Sequence, residues 1–183
     1  MNTLHIPAIA DEAREWSLDR LTRHILEHYH KGTVDRVHEL WTMAQDCAAK
    51  PGANGMGTIA QLLGESYADL SNHFRKEEMM LFPYIIELQE TLNQGLQPEP
   101  FHCGSVQFPC RQMMLEHDGE LERYAHILAL CKAFEDPFAS SPECQQLVNG
   151  IEVFYERLQE HIYLENENLF PRAIAAEGLP EME

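Results

Sequence analysis

Two stretches of this chain share one pattern: HFRKEEMMLFP at residues 73–83 and HIYLENENLFP at residues 161–171. Each begins with a histidine, carries a glutamate four residues later, and ends in Leu-Phe-Pro. Helical positions four residues apart lie on one face, so each copy presents an imidazole and a carboxylate side by side. The apolar residues at helical spacing around them predict that this face points into a protein core.

Apolar periodicity predicts four helical stretches. The first runs from about Ser17 to Cys47, the second begins near Thr58 and extends through Leu88, the third follows Pro109, and the fourth carries the second copy of the repeat. No segment shows sustained alternation of β-branched and polar residues, so strands are not predicted. We therefore expect an all-α protein built as an antiparallel up-down four-helix bundle.

The length of 183 residues fits one domain. We expect the bundle to cover residues 17–175, with an N-terminal tail at 1–16 and a C-terminal tail at 176–183. The Leu-Phe-Pro triplets at 81–83 and 169–171 are predicted to pack the end of the bundle, and each proline to kink or end its helix.

The amino-acid composition indicates which kinds of partner and which compartment the protein has. The formal net charge is -17, with 13 Lys and Arg against 30 Asp and Glu, which disfavours nucleic acid and anionic membranes and favours cations. No run approaches about 18 apolar residues, so no membrane span is predicted. The first residues lack the pattern of a secretory signal, and five cysteines show no CxxC spacing, so we expect a reducing cytoplasm.

Two glutamates, Glu77 and Glu165, fall on the buried stripes of the second and fourth helices. A buried carboxylate costs several kcal/mol unless it is paired or bound to metal, and no Lys or Arg shares those stripes. Histidines do share them: His73 and His161 lie one turn before the glutamates, and His117 lies on the third helix. This combination predicts a metal site at the centre of the bundle.

The first helix offers four histidines, His24, His28, His30 and His38. The apolar stripe in the later part of that helix lies nearest His30, so we expect His30 to complete the site and the other three to be solvated or at its rim. The predicted metal ligands are therefore His30, His73, Glu77, His117, His161 and Glu165.

Four imidazoles and two carboxylates suit two iron ions. Each carboxylate can bridge the pair, each ion takes two imidazoles, and the remaining positions stay open for an oxo or hydroxo bridge and for O2 or NO. Zinc is more usually held by one tetrahedral set, and magnesium or calcium by oxygen ligands. Manganese stays open on ligand type. A lone core histidine such as His117 is more often a hydrogen-bonded core residue, but the repeated pattern favours metal.

Other residues near the repeat are given ordinary structural roles. The Met79–Met80 pair is predicted to fill the core. Cys103 beside His102, and Cys110, are predicted to be free thiols. The neighbouring acids are predicted to be surface charges, with the one three residues after His117 as the strongest exception. These acids are Glu78, Glu116, Glu120 and Glu167.

The motifs HFRKEEMMLFP, MMLEHD and HIYLENENLFPRA, with EHYH as a weaker fourth, resemble the hemerythrin-like family over residues 20–175. The resemblance is closer still to the RIC proteins, the di-iron proteins for repair of iron centres. It implies the same six ligands that the buried stripes select. Where the family's first-helix motif carries a second histidine, this chain has Thr33.

The resemblance implies a cytoplasmic non-haem di-iron protein of the nitrosative and oxidative stress response. It would bind NO or O2 and support repair of damaged iron-sulfur clusters as an iron donor, with iron-sulfur proteins as clients. Three alternatives stay open: an O2 or NO carrier or sensor without repair activity, an enzyme that reduces NO or peroxide, and a metal-free helical bundle. A metal-binding repair protein is favoured over a turnover enzyme.

Overall fold

A computed structural model describes residues 4–50, 55–102, 104–133 and 141–178. Within these ranges the chain is helical and contains no β-strand. The α-helices are α1 (Ala10–Ala13), α2 (Leu18–Ile25), α3 (Thr33–Ala48), α4 (Met56–Lys76), α5 (Phe82–Asn93), α6 (Gln107–Lys132), α7 (Pro142–Leu164) and α8 (Phe170–Glu177). Three π-helical segments interrupt them at Leu26–His30, Glu77–Leu81 and Glu165–Leu169.

Most of these elements join into four rods. Rod 1 is α2, the first π segment and α3; rod 2 is α4, the second π segment and α5; rod 3 is α6; rod 4 is α7, the third π segment and α8. In rods 1 and 2, α3 packs against α4 and α2 against α5, which makes the two rods antiparallel. Since α6 contacts α4 and α7, and α7 also contacts α3, the rods close into the predicted all-α four-helix bundle.

Rod 1 is broken where a continuous helix was predicted. Lys31 has an extended ψ of 116° and Gly32 a φ of 80°, a left-handed value that glycine adopts without a Cβ penalty. The Thr33 hydroxyl donates to the carbonyl of Tyr29 across the break. The prediction of one helix from Ser17 to Cys47 was therefore wrong at this point, although the flanking helical parts are present.

Pro83 and Pro171 do not end their helices, contrary to one of the outcomes predicted for them. α5 continues to Asn93 and α8 to Glu177. Each proline is in the first turn after a π segment, where the missing N–H and the ring are best tolerated. The residues before the prolines, Leu81–Phe82 and Leu169–Phe170, are buried as predicted.

The Met79–Met80 pair does not fill the core, and that prediction was wrong. The two residues are 72% and 48% exposed. In the second π segment the inward positions are taken by Glu77 and Leu81, so the residues between them face outward.

The residues predicted as an N-terminal tail pack on the bundle in part. α1 forms one helical turn, and Ala13 and Trp16 are buried with α2 and α5. The Trp16 carbonyl accepts a hydrogen bond from Arg172 at 2.5 Å, which ties this segment to α8. The extent of the domain, residues 17–175, stays a prediction.

Two apolar cores occupy the two ends of the bundle. One is formed by α3, α4, α6 and α7, and the other by α2, α5, α8 and the start of α6. Along rods 2 and 4 the glutamates and histidines of the repeat come between residues of the first core and residues of the second. In the part of the chain that is described, no helix is long and apolar enough to cross a membrane.

Candidate metal centre

All six predicted ligands lie together inside the bundle. Their exposed fractions are 4% for His30, 3% for His73, 2% for His117, 1% for His161 and 0% for Glu77 and Glu165. Their ligand atoms form two groups, each within 4.8 Å, and both glutamates belong to both groups. The groups are His30, Glu77, His161 and Glu165, and His73, Glu77, His117 and Glu165.

The imidazoles face one another in two pairs. His30 Nε2 lies 3.2 Å from His161 Nε2, and His73 Nε2 lies 3.0 Å from His117 Nε2. We call these the His30/His161 pair and the His73/His117 pair. Each pair joins two rods, rods 1 and 4 in the first case and rods 2 and 3 in the second.

The two glutamates span both pairs. Glu165 Oε1 lies 2.8 Å from His161 Nε2, and its Oε2 lies 3.1 Å from His117 Nε2. Glu77 Oε2 lies 3.3 Å from His73 Nε2 and 3.5 Å from His30 Nε2. Each carboxylate therefore lies within 3.5 Å of one imidazole nitrogen from each pair.

The π segments set these positions. Glu77 begins the second segment, Glu165 begins the third, and His30 ends the first. A π turn is wider than an α turn and is found mainly at functional sites. Helical spacing correctly predicted which residues face inward, but it assumed α-helical geometry and gave no sign of these segments.

Three of the four imidazoles have an outer hydrogen-bond partner. Because a carboxylate only accepts, His30 Nδ1 donates to Glu78 at 3.0 Å and His73 Nδ1 donates to Glu116 at 2.9 Å. His117 Nδ1 donates to Asn166 Oδ1 at 2.8 Å in the same way. In the neutral ring the Nε2 lone pair then points toward the glutamates, as a metal ligand requires.

The fourth imidazole, His161, differs. Its Nδ1 is buried and has no hydrogen-bond partner within the described residues. The ring instead stacks near Tyr29, with centroids 6.0 Å apart, and tilts against Phe74 at 5.5 Å.

The acids predicted to be surface charges have different roles. Glu116 is half-buried and accepts hydrogen bonds from His73, Lys76 and Gln112, so that prediction was wrong for it. These donors, with His73 first among them, lower the pKa of Glu116 to about 2. The remaining members, Glu78 and Glu167, are exposed, but Glu78 still contacts His30.

Glu120 is the exception that was anticipated, in that it is buried. Its Oε2 accepts a hydrogen bond from Ser66 at 2.8 Å, and Arg123 forms an ion pair with it. Burial raises its pKa. It does not belong to either group of converging ligand atoms.

The other histidines lie outside the cluster, as expected. His24 is half-buried and stacks on His28, while His28 and His38 are exposed. Cys110 is a free, buried thiol, and Cys103 lies outside the described residues.

The cluster carries strong electrostatic interactions. Burial tends to lower the pKa of His73, but the charge of Glu77 and the hydrogen bond to Glu116 outweigh it and raise the pKa to about 10. Burial lowers the pKa of His161. Although burial opposes it, the neighbouring imidazoles of His161, His117 and His30 hold the pKa of Glu165 well below its usual range.

The donor set fits a metal ion. Both oxygens of Glu77 and one of Glu165 are buried without a hydrogen-bond partner among the described residues. Such oxygens are costly in a protein interior unless a cation satisfies them. The two pairs of facing Nε2 atoms supply lone pairs to the same space. A cation at each pair would satisfy the nitrogens and the carboxylates at once.

Comparisons with known proteins agree with this geometry. The family model of the hemerythrin HHE cation binding domain matches residues 21–173. The probable iron-sulfur cluster repair protein of Haemophilus influenzae is 30% identical over 167 residues, covering 88% of this chain and 69% of the relative.

Two further relatives carry similar names. The iron-sulfur cluster repair protein YtfE of Dickeya chrysanthemi is 30% identical over 175 residues, covering 93% of this chain and 72% of the relative. The iron-sulfur cluster repair protein DnrN of Neisseria gonorrhoeae is 30% identical over 151 residues, covering 82% of this chain and 88% of the relative. With a match that spans most of its length, the chain belongs to the hemerythrin HHE cation-binding domain family.

Proposed function

We propose that the protein holds two iron ions and supports the repair of damaged iron-sulfur clusters by donating iron, as part of the response to nitrosative and oxidative stress. The observation that carries the proposal is the pairing of four imidazoles around two shared carboxylates. The relatives are named as iron-sulfur cluster repair proteins, and these names support repair as the role of the bound iron.

Each residue has a defined role in this proposal. His30 and His161 would hold one ion, and His73 and His117 would hold the other. Glu77 and Glu165 would supply carboxylates to both and balance their charge. Iron bound there supplies open coordination positions for NO or O2 and a metal that can be passed to a client.

A cavity gives small molecules a route to the cluster. It has a volume of about 300 Å³ and lies between α4 and α6. Three imidazoles of the cluster line it, and Asp69 and Arg123 lie at its outer part. A diatomic ligand such as NO or O2 fits this space, whereas a folded client protein does not, so iron would leave the protein through the cavity or after a local opening.

The cysteines support a reducing compartment. Cys47, Cys110, Cys131 and Cys144 are free thiols. Burial raises the pKa of Cys110 and, to about 11, that of Cys131, so these thiols are poor nucleophiles at neutral pH. The free thiols support the proposal that the protein acts in a reducing cytoplasm, with iron-sulfur proteins as clients.

The proposal is tested by metal content and by reactivation of a damaged enzyme. Protein loaded anaerobically with ferrous iron should retain two irons per chain and restore an NO-inactivated iron-sulfur hydratase. Free ferrous iron at the same concentration and the Glu165→Gln variant should restore less. Retention of fewer than two irons together with no reactivation would sink the proposal.

A carrier or sensor of NO or O2 is the second candidate. The cavity favours it, because small ligands reach the imidazoles without any opening of the bundle. Reversible binding of NO without reactivation of the damaged enzyme would favour this function. Continuous consumption of NO with an electron donor would instead indicate an enzyme.

A further inference from the structure

The two imidazole pairs are supported unequally from outside the cluster. A metal-ligating histidine usually donates its other N–H to an acceptor, which fixes the ring and strengthens the lone pair. Among the described residues, both members of the His73/His117 pair have such an acceptor, and only one member of the His30/His161 pair has one.

The His73/His117 pair is held by anchored acceptors. Glu116, the acceptor for His73, is itself fixed by Lys76 at 2.6 Å and by Gln112 at 3.0 Å. The acceptor for His117 is Asn166, which lies on the third π segment directly after the bridging Glu165. Both rings are therefore tied to rods other than their own.

The His30/His161 pair is held more loosely. Glu78, the acceptor for His30, has a side chain that is 47% exposed, so water competes for its oxygens. The Nδ1 of His161 is buried with no partner in the described part of the chain. Outside the cluster, this ring is oriented by packing against Tyr29 and Phe74, whereas its contact with Glu165 lies on the metal-facing side.

We infer that the two metal positions are functionally different: the ion held by His30 and His161 is the one that the protein releases, and the ion held by His73 and His117 stays behind. This inference rests on the proposed two-iron site and specifies which iron is donated. Loss of one outer acceptor typically costs 10-fold to 100-fold in metal affinity, so we expect release rates that differ by about 10-fold or more.

The retained ion would also preserve the site. With the His73/His117 position filled, Glu77 and Glu165 keep one cation between them after the first ion has left. The protein could then donate iron and be refilled without exposing two buried, uncompensated carboxylates.

The test follows iron release by absorbance after anaerobic, iron-loaded protein is mixed with an excess of a ferrous chelator. We expect two phases of about one iron each. Glu78→Ala should speed only the fast phase. Asn166→Ala should speed only the slow phase and bring the two phases together, and Glu116→Gln serves as a second variant if Asn166→Ala does not fold. Glu167→Gln, at an exposed neighbouring position, is the control.

Three results would overturn the inference. They are release of both irons in one phase from the unaltered protein, acceleration of the first iron alone by Asn166→Ala, and acceleration of the slow phase by Glu78→Ala. If the chain retains a single iron, its loss in Asn166→Ala but not in Glu78→Ala supports the inference, and the reverse opposes it.

Failure of this inference differs from failure of the proposed function. Two-phase release without reactivation of a damaged enzyme would leave the unequal positions intact and remove the repair role. Reactivation with one-phase release would keep the repair role and remove the difference between the positions.

Discussion

Glu77 is the residue whose burial most needs explanation. It is fully buried, and neither of its oxygens accepts a hydrogen bond from the described residues. Its nearest partners are the imidazoles of His73 and His30. Without metal this carboxylate must be balanced by protons on those rings, so the side chain contributes little to the stability of the metal-free protein.

Glu77→Met should therefore separate metal binding from folding. Methionine fills a similar volume, and the imidazoles can become neutral, so the free energy of unfolding of the metal-free variant should be no more than about 1 kcal/mol lower, and could be higher. Bound iron should fall to one ion or none. Urea unfolding and metal analysis check both. Exposed Glu167→Met is the control; a loss of several kcal/mol without metal would show that Glu77 itself holds the core.

His30 and His28 offer a matched pair on rod 1. His30→Ala removes an imidazole from the His30/His161 pair, so iron content should fall by about one ion per chain while the other position stays filled. His28 is exposed and outside the cluster, so His28→Ala should retain both ions. Metal analysis of both variants after identical loading shows which of the two histidines binds iron. Equal iron loss in both variants would contradict the assignment of His30 as a ligand.

At the scale of single residues, the sequence predicted which side chains face inward. It did not predict which residues accept hydrogen bonds from the Nδ1 atoms of the histidines. The repeat and the stripe pattern gave the histidines and glutamates because the 3.6-residue period fixes which face a side chain takes. The acceptors Glu78, Glu116 and Asn166 are 43 to 49 residues away from their histidines and lie on other rods. Nothing in their local sequence signals these contacts, and two of them read as surface charges.

Among the elements, the break in rod 1 has the clearest sequence cause. His30 is the last residue of the first π segment, and Gly32 interrupts the helix two residues later with a positive φ. The glycine was visible in the sequence. The apolar pattern on both sides was regular enough to favour an uninterrupted helix, whereas the backbone takes the break that places His30 inward.

Gly32→Ala should destabilise the protein through its backbone. A Cβ at this position meets no atom within 4 Å, so the cost comes from the left-handed φ alone, about 1–2 kcal/mol. Gly57→Ala is the control, because Gly57 is helical with equal space around its Cβ and alanine favours a helix. Chemical unfolding should show a loss for the first variant and none for the second. Equal effects would contradict the strain argument.

The connection between α5 and α6 is fixed by a residue of α8. The buried carboxylate of Glu177 accepts hydrogen bonds from Tyr84 at 2.7 Å, from Ser105 at 2.7 Å, and from the backbone N–H of Phe101 at 2.9 Å and of Val106 at 3.0 Å. Burial tends to raise the pKa of Glu177, but these donors outweigh it and hold the pKa below its usual value.

Glu177→Gln should therefore lower stability in a pH-dependent way. Because the folded-state pKa of Glu177 is depressed, its stabilisation is complete above the unfolded-state value and disappears as the pH falls through the folded-state value. We expect a loss of about 2 kcal/mol at pH 7 and a smaller difference from the unaltered protein in acid. Urea unfolding at both pH values measures this. Exposed Glu87→Gln is the control; a difference independent of pH would contradict the assignment.

For the whole molecule, the candidate metal centre joins all four rods. One imidazole comes from each rod, and the glutamates come from rods 2 and 4. Binding at such a site stabilises the complete fold, because an unfolded chain cannot present the same ligands together.

Metal loading should accordingly raise the melting temperature in one cooperative transition. Free metal at about 1,000 times its dissociation constant adds about 4 kcal/mol, which corresponds to roughly 10 °C for a chain of this size. Differential scanning calorimetry before and after removal of metal measures the shift. A double variant, His73→Ala with His161→Ala, should show no shift; an unchanged melting temperature in the unaltered protein would contradict the role of the cluster.

The four-rod architecture could be predicted because long amphipathic helices with polar connections allow few packing arrangements. The packing of residues near the two ends of the chain could not be predicted from the sequence. Trp16 and Glu177 were assigned to tails, yet both are buried, because isolated residues outside a periodic pattern carry no local signal of their partners. The Pro83 and Pro171 predictions failed in part for a similar reason, since π geometry ahead of them does not follow from sequence.

The second π segment also fixes the rotational phase of everything that follows it. Each residue of an α-helix advances the chain by about 100° and 1.5 Å. Four residues of an α-helix therefore overshoot one full turn by about 40°, and the wider π turn takes up this excess, so that Glu77, Leu81 and Ile85 all stay buried at intervals of four residues. If the same residues formed a regular α-helix, Leu81 and Ile85 would drift off the buried face, so the position of Glu77 and the apolar core of α2, α5 and α8 depend on the same wide turn.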